Sequence, residues 1–301
     1  MKLLVKIYLY HLYFRLRWLI TKIVHNKDAA RHQANTAQQL FERYESVAGS
    51  TDYKEKMRNR ECQVFSQNGE DGLLLYILSQ VGISNKTFVE FGMETGRECN
   101  LANLAINFGW NGLFMDGGEQ NIASARKYYQ SIGRFETEKI NIQQCFVTTE
   151  NINSAITNFG ITGEIDVLSI DIDGNDYWIW QSIDCINPRV AIVEYNASFG
   201  AERSITVNYD SAFSRYQKHR SGWYHGASLS ALTKLGKEKG YQLVCADSKG
   251  CNAFFVRNDV IKGDLEEITP AEAFYPQPKR SLMANLDQQF ELIKQLGYTE
   301  I

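Results

Sequence analysis

Three carboxylates crowd the stretch Ser169-Ile-Asp-Ile-Asp-Gly-Asn-Asp-Tyr-Trp178, which follows the apolar-rich run Glu164-Ile-Asp-Val-Leu168. Like charges this close are costly unless a cation, a ligand or water compensates them. Oxygen-rich clusters of this kind suit a hard divalent ion, Mg²⁺, Mn²⁺ or Ca²⁺. The alternative is local: Asp173 and Asn175 shape a turn and cap a helix starting near Tyr177.

A second constellation lies upstream. Val89-Glu-Phe-Gly-Met-Glu-Thr-Gly96 ends an apolar run, and glycines there let backbone approach a ligand closely. Some 25 residues on, Met115-Asp-Gly-Gly118 ends another run, where an acidic residue, Asp116, is suited to a ribose diol. The loop has Gly92 and Gly96 but Glu94 where a dinucleotide-binding loop would carry its second Gly. A carboxylate beside a pyrophosphate is repelled; beside a sulfonium amino acid it is not. Charge therefore favours S-adenosylmethionine over a dinucleotide.

These residues need elements to hold them. Strands are predicted at 86–91, 112–115, 138–142, 165–170 and 190–194, alternating with helices at 99–108, 119–131, 151–159 and 177–183. A helix at 228–239 precedes two strands, 241–246 and 252–256, joined by the turn Asp247-Ser-Lys-Gly250. The expected fold is α/β: a seven-stranded, mostly parallel sheet with helices on both faces and a C-terminal antiparallel hairpin. Ligands of such sheets bind at the carboxyl ends of the strands, at the topological switch point.

In its V-E-F-G, F-M-D-G and D-V-L-S-I-D-I-D-G segments the chain resembles the class I S-adenosylmethionine-dependent methyltransferases, and most of all their FkbM-like branch. Phe65-Ser-Gln-Asn-Gly-Glu-Asp71 and Gly250-Cys-Asn-Ala-Phe-Phe-Val256 add to the likeness, which covers about residues 63–257. The resemblance implies a Rossmann-like fold and S-adenosylmethionine as cofactor. It implies that Glu90 and Gly92 line the donor's methionine part, that Asp116 holds its ribose, and that Ser66 and Gln67 close over it. Glu94 departs from the common glycine pattern. The resemblance also implies O-methylation of a sugar or other polyhydroxyl acceptor in glycan or secondary-metabolite synthesis, with Asp171 on the acceptor side of the cleft.

The neighbouring run Val193-Glu-Tyr-Asn-Ala-Ser198 adds Glu194 and Asn196 to Asp171, Asp173 and Asp176. Five oxygen-bearing side chains from two strand ends make a candidate Mg²⁺ or Mn²⁺ site that would lower the pKa of an acceptor hydroxyl; direct contact with substrate hydroxyls competes with that reading. Segment 197–227 mixes Arg203, Arg215, Lys218 and Arg220 with aromatics, as a lid over the acceptor or as a solvated loop. His225 near its end is a candidate general base, or a structural hydrogen-bonder. Two other functions remain open. A D-x-D sequence also serves metal-dependent glycosyltransferases, although that leaves the first-strand loop and Asp116 unexplained; a non-catalytic, membrane-associated scaffold would retain the same fold.

The chain of 301 residues carries a net charge of −3, which gives no footprint for nucleic acid. Its six cysteines lack any C-x-x-C pair, as expected of reduced thiols in a cytoplasmic protein. The expected organisation is an N-terminal helical extension and linker (1–62), a catalytic domain (63–257) and a helical C-terminal tail (258–301). Residues 1–24 hold a stripe of Val5, Leu9, Leu12, Leu16, Leu19 and Ile23 flanked by Lys and Arg. Its charges exclude a spanning helix and a signal peptide. The stripe suits peripheral contact with the cytoplasmic membrane face, a homodimer, or packing on its own domain.

Overall fold

The computed structural model describes residues 52–132 and 139–301. The N-terminal stripe and its membrane or dimer contact lie outside the described residues. Among the described residues no helix is long and apolar enough to cross a membrane.

Chain order runs α1 (Tyr53–Arg58), α2 (Glu70–Val81), β1 (Thr87–Phe91), α3 (Ala102–Phe108), β2 (Asn111–Asp116), α4 (Glu119–Ser131), β3 (Ile140–Gln144), α5 (Ile152–Thr157), β4 (Gly163–Ile170), α6 (Asp176–Ser182) and β5 (Ile186–Glu194). It continues with β6 (Ile205–Val207), α7 (Arg215–Lys218), α8 (Leu229–Glu238), β7 (Tyr241–Ala246), β8 (Asn252–Arg257), α9 (Pro270–Ala273), α10 (Pro278–Ser281), α11 (Leu286–Ile293) and β9 (Tyr298–Glu300).

Seven strands form one sheet in the order β3-β2-β1-β4-β5-β8-β7. Pairings from β3 to β5 are parallel, and β8 runs antiparallel to both β5 and β7. The expected architecture is present, hairpin included. From β1 the chain winds outward through β2 to β3, then returns to lay β4 on the other side of β1. The crevice at the carboxyl ends of β1 and β4 is therefore the switch point.

Central strands are apolar on both faces because helices cover both, so alternation along each strand divides the core in two. Phe88, Val190 and Ile192 enter one cluster, and Val89, Phe91, Ala191 and Val193 the other. At the opposite end of the sheet, buried Asp166 accepts the backbone N–H groups of Ser84, Asn85 and Lys86 at 2.6–2.9 Å. That contact fixes where β1 begins.

The C-terminal segment is more than a helical tail. Strand β9 pairs antiparallel with β6, and Phe199, Ile205, Phe213, Trp223, Tyr224, Ala284 and Ile293 share a third core. Segment 197–227 is thus packed against residues 284–298 through Phe199, Ile205, Phe213, Trp223 and Tyr224, while 216–220 is largely exposed.

Two strand-end loops touch through Gly92. Its φ is +78°, and a Cβ added there would lie 1.6 Å from the Asp171 carbonyl oxygen. Gly92→Ala is expected to cost roughly 3 kcal/mol or more in chemical denaturation, since backbone must move. Gly160→Ala, at φ +72° in open space, should cost only roughly 1 kcal/mol of left-handed strain. Equal costs at the two positions would show that the Gly92 contact is not a constraint.

Candidate active site

Strands β4 and β5 end side by side, so Asp171, just after β4, faces Glu194, the last residue of β5. Burial drives the Asp171 carboxyl well above the ordinary range, and Glu194, Asp173 and Asp176 push it further. Glu194, 8% exposed, is raised by burial against the lowering effect of Arg215 and Arg280, and its carboxyl is hydrogen-bonded to that of Asp171. Two facing acids in a poorly solvated site hold a proton between them. The pair can therefore accept or release one at a pH above the ordinary carboxylate range.

The compensating charges are guanidinium groups. Arg215 of α7 bonds Asp173, and Arg280 of α10 is buried beside Glu194. Arg280 donates to Asn196 Oδ1 at 2.7 Å and Ser198 Oγ at 2.9 Å, and its Nη2 lies 2.9 Å from His225 Nε2. Burial first, and then Arg215, lowers the Arg280 pKa to about 10, leaving it cationic at neutral pH.

The Arg280 contact decides the state of His225. Arginine only donates, so Nε2 accepts and the imidazole proton sits on Nδ1. That nitrogen is 3.4 Å from Glu194 Oε2, and the histidine is fully buried. Burial, then Arg215 and Arg280, hold its pKa well below the usual value, so the ring is neutral. With Nε2 occupied and Nδ1 protonated, His225 does not fit the general-base role; it lies beside Glu194 without a hydrogen bond to it, and the Asp171–Glu194 pair is the better proton acceptor.

Other candidates drawn from the sequence sit elsewhere. Asp176 accepts the N–H groups of Ile172 and Gly174, closing the turn after β4, and Asn196 is enclosed by Trp223, His225, Ser198 and Arg280. Neither presents a free oxygen to an ion. Ser66 is buried and exchanges hydrogen bonds with Asp71, while Gln67 is exposed on the same loop. Glu90 is 2% exposed and accepts the N–H groups of Asn100 and Leu101 at 2.8 and 3.0 Å, capping the entry to α3. It braces the connection between β1 and α3 from beneath.

Ligating atoms of Asp173, Glu194 and His225 come within 4.8 Å of one another. The donor set does not fit a divalent ion: Arg215 occupies Asp173, and His225 Nδ1 carries a proton where a metal needs a lone pair. The same pairing counts against the D-x-D reading, because Asp171 is paired with Glu194 and Asp173 with Arg215.

Beside this centre a cleft of about 390 Å³ opens at the switch point, lined among others by Gly92, Asp116, Gly117, Phe146, Ile172, Gly174, Asn175 and Phe213. Asp116 accepts from Glu94 N at 2.9 Å, Gly118 N at 2.7 Å and Asn121 Nδ2 at 3.0 Å. An ionised carboxylate offers about four acceptor positions, so one remains for a hydroxyl. Phe146 is 55% exposed at the lip, an open aromatic face. Glu94 takes the left-handed conformation, φ +49°, that its glycine-like place in the loop requires. Its carboxyl is raised by desolvation, then by Asp173, Asp116 and Glu98. This acidic rim favours a cationic ligand over a phosphate.

Arg280, Phe146 and Phe213 escaped the sequence reading. Phe146 had a weak signal, an aromatic just after a predicted strand. Phe213 and Arg280 had none, since long-range packing alone brings them in.

No family model matches the chain, and no curated protein matches it. Solved structures do. A putative O-methyltransferase from Klebsiella pneumoniae is 14% identical, covering 80% of this chain and 95% of its own, with a TM-score of 0.36. PKMT2 from Rickettsia typhi, in complex with AdoHcy, is 9% identical, covering 65% and 54%, with a TM-score of 0.42. StiE O-MT (residues 961–1257) is 13% identical over 53% of this chain, with a TM-score of 0.33, and the match spans about half of its length, 47%. These neighbours are methyltransferases by name; at such scores the likeness assigns no family, and the chemistry rests on the site itself.

Two measurements probe the site. Nitrogen-15 spectra should show neutral His225 protonated at Nδ1 at pH 7, with the preference lost in Arg280→Met; an Nε2–H tautomer or an imidazolium in the native protein would refute the assignment. Burial raises Glu90 to about 7 and Asp176 to about 8. Both lie above the unfolded values near 4, so the folded chain retains protons that the unfolded chain releases, and stability falls as pH rises from about 4 to 8. The urea midpoint should be higher at pH 5.5 than at pH 8.5, and Asp176→Asn should flatten the difference.

Proposed function

We propose that the protein is an S-adenosylmethionine-dependent methyltransferase acting on a hydroxyl group, with a polyhydroxyl molecule as acceptor. The observation carrying this reading is the adjacency of a donor-sized cleft, with an acid and an aromatic at its edge, to a poorly solvated carboxyl pair that can hold a proton.

In this reading Asp116 takes the ribose diol and Phe146 offers its face to the adenine. The rim carboxylate of Glu94 attracts the cationic end. Gly92, with no side chain, lets the loop after β1 close on the β4 turn at the wall of the cleft. When bound, S-adenosylmethionine supplies a methyl group on a cationic sulfur, which the acceptor oxygen takes up as its O–H proton leaves. The Asp171–Glu194 pair receives that proton. His225, fixed by Arg280, stands beside Glu194, and Arg215 holds Asp173.

A deprotonated pair is the acceptor form, so activity should rise with pH as the pair ionises. Its carboxyls titrate above the ordinary range, which sets the rise at higher pH than a solvated carboxylate would give.

Calorimetry tests the donor site. S-adenosylhomocysteine should bind at micromolar Kd, and Asp116→Ala should weaken it about tenfold or more, roughly 1.4 kcal/mol. Asp171→Asn should leave that affinity within about twofold while lowering turnover at least about a hundredfold, the scale of general-base catalysis. Activity should persist in EDTA, because Arg215 and Arg280 already supply the positive charge. Binding that ignores Asp116→Ala would overturn the donor assignment, and loss of activity in chelator would restore a metal to the centre.

A further inference from the structure

A second hollow, about 510 Å³, lies beside the donor cleft. It is lined by Asn208, Tyr209, Asp210, Phe213, Lys218 and Tyr224, with Ser211 and Leu296 completing the wall. Phe213 borders both spaces, its ring resting on Gly174, where an added Cβ would come within 2.4 Å. The two are also tied by hydrogen bonding: Asn175, in the wall of the donor cleft, donates from Nδ2 to the Asp210 carbonyl at 2.8 Å. Helix α7 spans the junction. Its Arg215 bonds Asp173 in the acidic centre, and one turn on its Lys218 pairs with Asp210 at 2.6 Å.

The lining mixes two chemistries. Phe213 and Tyr224 stack with ring centroids 6.1 Å apart, and Tyr209 adds a third aromatic surface. Asn208 and the Lys218–Asp210 ion pair supply donors and acceptors, with Lys218 and Asp210 side chains 40% and 37% exposed. Aromatic faces beside a few fixed polar groups suit a ring that is apolar on one face and hydroxylated at its edge. A planar aromatic ligand would leave the polar groups unused, and a linear polyol would leave the aromatic faces bare. The volume falls within the ~300–1,000 Å³ of small-molecule sites.

We infer that this hollow is the acceptor subsite and that it holds a pyranose-type ring, whose reacting hydroxyl reaches the donor cleft past Phe213. Tyr209 and Lys218 set its specificity: Tyr209 through its ring, held by its hydroxyl on Glu150 at 2.7 Å, and Lys218 through hydrogen bonds at the ring edge. The assignment of the ring as methyl acceptor rests on the methyltransferase reading above; its binding does not.

The test is saturation-transfer NMR on the full-length protein, with the methyl glycosides of glucose, galactose, mannose and rhamnose as probes and phenol as the planar control. At least one glycoside should receive saturation. Its Kd should weaken about tenfold or more, roughly 1.4 kcal/mol, in both Tyr209→Ala and Lys218→Met. Lys218 lies on an exposed helix, so its replacement keeps the test valid if Tyr209→Ala fails to fold. S-adenosylhomocysteine affinity should stay within about twofold in each folded variant. No transfer to any glycoside, transfer to phenol alone, or unchanged glycoside binding in Lys218→Met overturns the inference. A native protein that binds glycoside but not S-adenosylhomocysteine supports the subsite and sinks the methyltransferase reading instead.

Discussion

The crowding of carboxylates where β4 and β5 end is the constraint to which the rest of the molecule answers. Parallel strands need no charge at their ends, yet this sheet delivers Asp171, Asp173, Asp176 and Glu194 to one place. Three different devices make that tolerable. Asp176 turns its oxygens to backbone amides, Asp171 and Glu194 hold a proton between them, and Asp173 meets Arg215. Arg280, from far along the chain, adds the remaining positive charge and sets the tautomer of His225. The buried polar network is costly to isolate and stable only when complete.

Much of the fold was legible in sequence because its signals are local. Apolar runs bounded by glycine or acid mark the strands, and Ser228 caps α8 as its position promised. Helix boundaries shifted only slightly: the predicted 151–159 segment is helical at Ile152–Thr157. Helix α2 was passed over, since its apolar residues run almost without a break, as suits a helix buried nearly all round. The short β6–β9 pair was also missed, because strands of three residues carry too little periodicity to register.

The candidate site was legible in position more than in role. Acidic residue types at strand ends show where carboxylates gather, but a sequence does not state which oxygens are already occupied. Asp171 and Glu194 answer to each other and to the guanidinium groups of Arg215 and Arg280, whereas Glu90 and Asp176 are tied down by amides two to eleven residues away. The expectation of a metal followed from counting oxygens; counting guanidinium groups required the tertiary structure. His225 shows the same limit. Its type suggested a base, and only the arginine at its far nitrogen revealed that the nitrogen a base needs is already taken.

The pairing of β6 with β9 bears on how the protein is born. All the carboxylates of the centre leave the ribosome before residue 195, while Arg280 follows some 85 residues later and β9 later still. A nascent chain can thus assemble β1 to β5 while its acids lack their counter-charge. Until the last helices dock, those acids must stay hydrated or protonated, and the sheet edge at β5 must wait for β8. The acidic centre is therefore the last part of the molecule to mature, and slow synthesis or an early stop would leave a folded sheet whose carboxylates lack their counter-charge.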